Sequence, residues 1–151
     1  MNKISLLFIL SVLITFSAYA QDDIKITHAP YLQNLGENEV TVVWTANKPS
    51  IGWVELAPDD GTHYYQTERP KFFNAKNGIK LTSTVHSVHL TGLKPDTRYR
   101  YRVYSQEVLS HVGWRVIYGN VAATSVYGKQ PLTFLTSDHG RQSVNFAMVN
   151  D

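Results

Sequence analysis

The chain contains no cysteine, so no disulfide can staple it and no lipidated cysteine can anchor it; burial must supply its stability. Charge is scarce and balanced, with 14 Lys and Arg against 12 Asp and Glu, a formal net charge of +2. Such a balance gives no electrostatic pull toward nucleic acid or an anionic membrane. Long apolar runs are missing after residue 16, and helical periodicity is hard to find beyond Asp23. Aromatic residues are plentiful: three Trp, nine Tyr and six Phe among 151 residues. That supply is adequate for one domain with a real core.

The one apolar run lies at the start. Lys3 gives a positive n-region, and Ile4 to Phe16 is interrupted only by Ser5, Ser11 and Thr15. Ala18-Tyr19-Ala20 then supplies the small-x-small pattern that signal peptidase reads. Residues 1–20 therefore read as a secretory signal peptide cleaved after Ala20. The alternative is a transmembrane anchor, but the run is shorter than the ~20 residues a spanning helix needs. The expectation is a soluble protein, secreted or periplasmic, with no membrane attachment after cleavage.

Beyond Asp23 nearly every segment alternates with period two, and turn signals are frequent. That is how a sandwich of short strands reads. Strands are expected over 26–35, 40–45, 51–56, 81–90, 97–106, 112–118 and 132–136. Pro30 marks an edge position or bulge. Asn47 to Ser50, with Pro49, reads as a turn, and so does Pro58-Asp59-Asp60-Gly61. His63 to Thr67 reads as a short hairpin strand, and residues 68–80 favour loop. In the second strand Val40, Val42 and Trp44 share one face. In the 97–106 strand Tyr99, Tyr101 and Val103 share one face and Arg98, Arg100 and Arg102 the other. Those three like charges must be solvated or paired, so the outer face is expected to meet carboxylates or water.

Two stretches carry a resemblance. Val43-Trp44-Thr45 places a Trp on an early sandwich strand, and residues 86–103 read HSVHLTGLKPDTRYRYRV. The second block resembles the fibronectin type III signature, with Leu93, Pro95, Thr97 and Tyr99 in the positions of its tyrosine corner. With His86, Val88, Leu90, Leu93 and Tyr101 it is similar, more narrowly, to the N-terminal domain of purple acid phosphatases and related exported metallophosphoesterases. The resemblance spans about residues 25–136. It implies an all-β, fibronectin type III or immunoglobulin-like sandwich of about seven strands over 24–136. Residues 107–130 would be an insertion forming an extra hairpin, with 112–118 as one arm.

Ser137 to Ser143 reads as a linker. After it, Val144 to Val149 is a mostly apolar run that ends in Asn150-Asp151. This segment resembles the first strand of the α/β domain that follows the sandwich in such phosphoesterases, and 144–151 is expected to open a domain that the chain does not contain. The resemblance implies that Asp151 is the first metal ligand, although Asn150 stands where Gly is usual. It also implies two divalent or trivalent metal ions in the intact parent, with a phosphate ester as substrate. This fragment is expected to bind no cofactor, and no catalytic residue is expected within it. The sandwich's expected partner is its own C-terminal catalytic domain.

The six histidines offer little by themselves. His86 and His89 are three apart on one strand and point to opposite faces, so they cannot converge on one ion. His86, facing inward with Val88 and Leu90, reads as a satisfied, partly buried histidine. Asp138-His139-Gly140 reads as linker, and Asp59-Asp60-Gly61 as a turn without the other ligands of a calcium loop. Trp53 either points outward, as a contact for a sugar ring or a neighbouring domain, or belongs to the core. Trp114 in the insertion is a second candidate contact residue. Two functions remain open: a non-catalytic N-terminal module of an exported metallophosphoesterase, or a free-standing fibronectin-type module that binds a protein or glycan.

Overall fold

The computed structural model describes residues 22–124, 129–138 and 140. The expected signal peptide, residues 141–143 of the linker, His139 and the 144–151 segment with Asp151 lie outside the described residues. The described residues form nine strands: β1 (Ile26–Gln33), β2 (Val40–Pro58), β3 (Lys71–Phe73), β4 (Ala75–Lys76), β5 (Ile79–Lys80), β6 (Thr82–Leu90), β7 (Arg98–Val112), β8 (Arg115–Ala123) and β9 (Leu132–Leu135). All pairings among them are antiparallel. The fold is all-β, as the alternation predicts.

Two long strands organise it. The first half of β2 lies between β1 and β6, with Val43 opposite both Tyr31 and Ser87. The second half lies between β3 and β7, with Trp53 opposite both Phe73 and Tyr104. The expected turn at 47–50 is not a reversal. The chain stays extended there and exchanges neighbours, with a break in the β6 register between Thr45 and Ser50. Pro49 is compatible with this because a strand that is changing partners can spare one ladder donor. β7 does the same on its far edge. Arg98 to Tyr101 pair with β9, and Tyr104 to Val112 pair with β8.

The two layers close on a single core. Val40, Val42, Trp44, Val88 and Leu90 come from the β1–β2–β6 side. Val54, Leu56, Tyr101, Val103 and Phe134 come from the β2–β7–β9 side. The Trp44 indole N–H donates to Ser105 Oγ at 3.0 Å, tying one layer to the other. Trp44, Tyr101 and Val103 are buried, as the shared-face reading requires.

Three expectations change in detail. His63 to Thr67 is a turn region rather than a strand. Residues 68–80, expected as loop, hold β3 and the short β4–β5 hairpin with Gly78 at φ +78°. The 112–118 arm contains the hairpin's turn. Val112 pairs with Arg115, leaving Gly113-Trp114 as a two-residue loop with Gly113 at φ +58°. A positive φ at the first central residue is what a type II′ turn needs, and glycine supplies it without strain. The bulge read from Pro30 is present, since the β1 register slips between His28 and Tyr31.

Candidate functional site

The β6–β7 connection is a tyrosine corner. Tyr99 Oη accepts the Lys94 backbone N–H at 3.0 Å, five residues upstream. Leu93 is buried beneath it, and the Tyr99 ring stacks on Phe134 at 5.4 Å between centroids. Thr97 Oγ1 donates to the Pro95 carbonyl at 2.8 Å. Thr136 Oγ1 donates to the Lys94 carbonyl at 2.7 Å and accepts the Thr97 N–H at 2.9 Å. Leu93, Pro95, Tyr99 and Tyr101 therefore form one structural unit that fixes the crossover and locks β9 to it.

His86 is fully buried, with its ring centroid 5.0 Å from that of Trp44. Ser50 Oγ donates to the Ser83 carbonyl, so it accepts from His86 Nε2–H at 2.8 Å. Nδ1 then accepts from Asn74 Nδ2 at 3.4 Å. That pattern fits the neutral ring, and burial pushes its pKa down to about 4. Gly52 lies directly over the ring, where a Cβ would come within 2.5 Å of two imidazole atoms. His89 faces the other way, to Thr41 Oγ1 at 3.1 Å and Glu39 at 3.3 Å.

The outer face of β7 departs from expectation. Arg98 is exposed, but Arg100 and Arg102 are buried beneath the 59–65 loop and the 129–131 segment. Arg100 donates from Nε to the Pro58 carbonyl at 2.8 Å, from Nη1 to the Thr62 carbonyl at 2.6 Å and from Nη2 to Asp60 at 3.1 Å. Asp59 lies 3.6 Å from its Nε. Among the described residues, Arg102 donates to backbone, from Nη1 to the Thr124 carbonyl at 3.2 Å and from Nη2 to the Lys129 carbonyl at 3.1 Å. Its guanidinium carbon sits 5.1 Å from the Tyr64 ring centroid and 5.4 Å from that of Tyr65.

The two tyrosines are themselves fixed. Tyr64 Oη donates to the Glu55 carbonyl at 2.8 Å, and Tyr65 and Tyr104 share a hydroxyl contact of 2.9 Å. Arg69 Nε donates to the Tyr64 carbonyl, clamping the loop. Burial pushes the Tyr64 hydroxyl pKa well above the usual phenol range. Tyr104 moves the same way, from burial first and then from hydrogen bonds with Tyr65 and Glu55. Together these residues wall an open cleft of about 900 Å³. Its sequence signal was a Tyr64-Tyr65 pair just after an Asp-Asp-Gly turn.

Trp53 points outward from β2, half-buried under the chain's own aromatics. It stacks on Tyr104 at 5.1 Å and 3°, and tilts against Phe73 at 5.7 Å. Trp114 is fully exposed at the tip of the β7–β8 hairpin, near exposed Val112. Val112 lies eight residue steps along β7 from Tyr104, roughly 26 Å of chain, so the two Trp do not form one surface. Leu109 and Ile117 are also exposed on this hairpin. Among the described residues, no group of three or more His, Asp or Glu is placed to hold a metal ion.

An antiparallel all-β sandwich closed by a tyrosine corner defines the class of this domain. The family model for the purple acid phosphatase N-terminal domain matches residues 28–118, more than half of the chain, and the chain belongs to that family. A solved structure described as a computer-based redesign of a beta sandwich protein matches with TM-score 0.44 and 19% identity, covering 76% of this chain and 96% of that one. Among curated proteins, none matches the chain.

Proposed function

We propose that the chain is the non-catalytic N-terminal domain of an exported, metal-dependent phosphoesterase whose intact form hydrolyses phosphate esters. The observation that carries this reading is membership of the purple acid phosphatase N-terminal family over residues 28–118. The sequence Phe146-Ala147-Met148-Val149-Asn150-Asp151 supports it, because an apolar run ending in a carboxylate resembles the strand end at which an open α/β sheet places its site. Asp151 would be one ligand of a two-metal centre, and the remaining ligands would come from the catalytic domain. The sandwich would dock that domain, and the β7–β8 hairpin would lie against it or over its mouth. The amino-terminal run would direct export and be cut after Ala20.

The test compares two proteins with p-nitrophenyl phosphate and added divalent metal. The 151-residue chain should give no turnover above blank. The product of the continuing reading frame should turn over substrate, and Asp151→Asn should abolish that activity. Full activity in Asp151→Asn would remove Asp151 from the centre. A stop codon at position 152 would favour the second reading, a free-standing module that binds a protein or glycan. The fully exposed Trp114 favours a contact role under either reading.

A further inference from the structure

Arg100 and Arg102 are neighbours on one face of β7, and their different surroundings are informative. Both are nine-tenths buried or more, at 8% and 5% exposed. Arg100 is matched by two carboxylates, Asp59 and Asp60, and by two backbone carbonyls. Among the described residues, Arg102 donates to two backbone carbonyls. Its buried Nε has no acceptor among the described residues. A guanidinium carries five N–H donors, so these two bonds leave others to spend. Glu55, opposite it on β2, hydrogen-bonds Tyr104.

A buried guanidinium with an unmet donor is costly unless something completes it. Arg102 lines the 900 Å³ cleft together with Lys129, His63, Tyr64 and Tyr65. Lys129 adds a second positive charge at the rim, and Tyr65 presents a half-exposed ring there. We propose that this cleft is a binding site for an oxyanion carried on a ring, either a sugar carboxylate or an aromatic phosphate. The anion would meet Arg102 and Lys129, and the ring would lie against Tyr65. Guanidinium is suited to such groups because its donors match carboxylate and phosphate oxygens in pairs. The site would act with or without a catalytic domain, and its ligand need not be a substrate.

The experiment titrates the full chain with glucuronate, phenyl phosphate and, as the neutral control, glucose. Calorimetry gives the affinity, and the Arg102 Nε–Hε NMR signal reports the position. Saturable binding of either anion with a shift of that signal is expected, and the stronger of the two identifies the anion. Lys129→Gln and Tyr65→Ala alter exposed side chains and should each weaken binding about fivefold, roughly 1 kcal/mol. Arg102→Gln should abolish it; if that variant does not fold, the two rim variants decide. Binding of glucose as tight as that of the anions would overturn the proposal. So would failure of both anions to move the Arg102 signal, or affinities unchanged in both rim variants.

Discussion

Position 52 shows how little room one atom has in this core. A Cβ there would also come within 2.7 Å of the Trp44 ring. His86 and Trp44 are both fully buried and cannot swing away. Gly52→Ala should therefore destabilise the fold by about 1–3 kcal/mol, measurable as a lower urea midpoint at unchanged m-value. Tyr99→Phe removes the acceptor for the Lys94 N–H but keeps the stacked ring. A loss of about 1–2 kcal/mol is expected, and an unchanged melting temperature would deny the corner its role. The corner could be read from residues 93–99 alone because its chemistry is local: a turn, a β-strand start and one hydroxyl reaching back. The burial of Arg100 and Arg102 could not. Period-two alternation says which residues share a face, not what covers it, and here the cover arrives from a loop about forty residues earlier in sequence. Trp53 was ambiguous for the same reason: it faces outward and is still covered, by Phe73 and Tyr104.

At the level of elements, reversal and partner exchange look alike in sequence. Asn47, Pro49 and Ser50 carry ordinary turn chemistry, yet β2 passes through them without turning because β6 and β7 take it up on either side. The strand ends at Gln33, Leu90 and Leu135 were legible within two residues, since apolar alternation stops there. The 107–130 insertion was legible as a hairpin but not in its register. Its turn rests on Gly113 and its arms carry two bulges, between Gln106 and Ser110, that shift the pairing. Trp114 makes no core contact at this tip. Trp114→Ser should therefore change stability by less than about 0.5 kcal/mol in thermal denaturation. A larger loss would mean that the hairpin's tip is anchored elsewhere on the domain.

For the molecule as a whole, acid bears on the core through His86. His86 ionises with a pKa of about 4 when folded, against an ordinary 6.5. The unfolded chain therefore takes up the proton first. The contribution of this group is fully present above pH 6.5 and is lost as pH falls toward 4. Its size is on the order of 3 kcal/mol. Denaturant titrations from pH 7 to pH 4 should show that decline, and His86→Gln should flatten it. A wild-type curve level across that window would mean the ring is reached by solvent. The shared strand has a different consequence. Because β2 contributes its backbone to both layers, neither layer can peel away while the other keeps its hydrogen-bond ladder. The two layers are therefore expected to come apart together, in one cooperative step rather than one after the other.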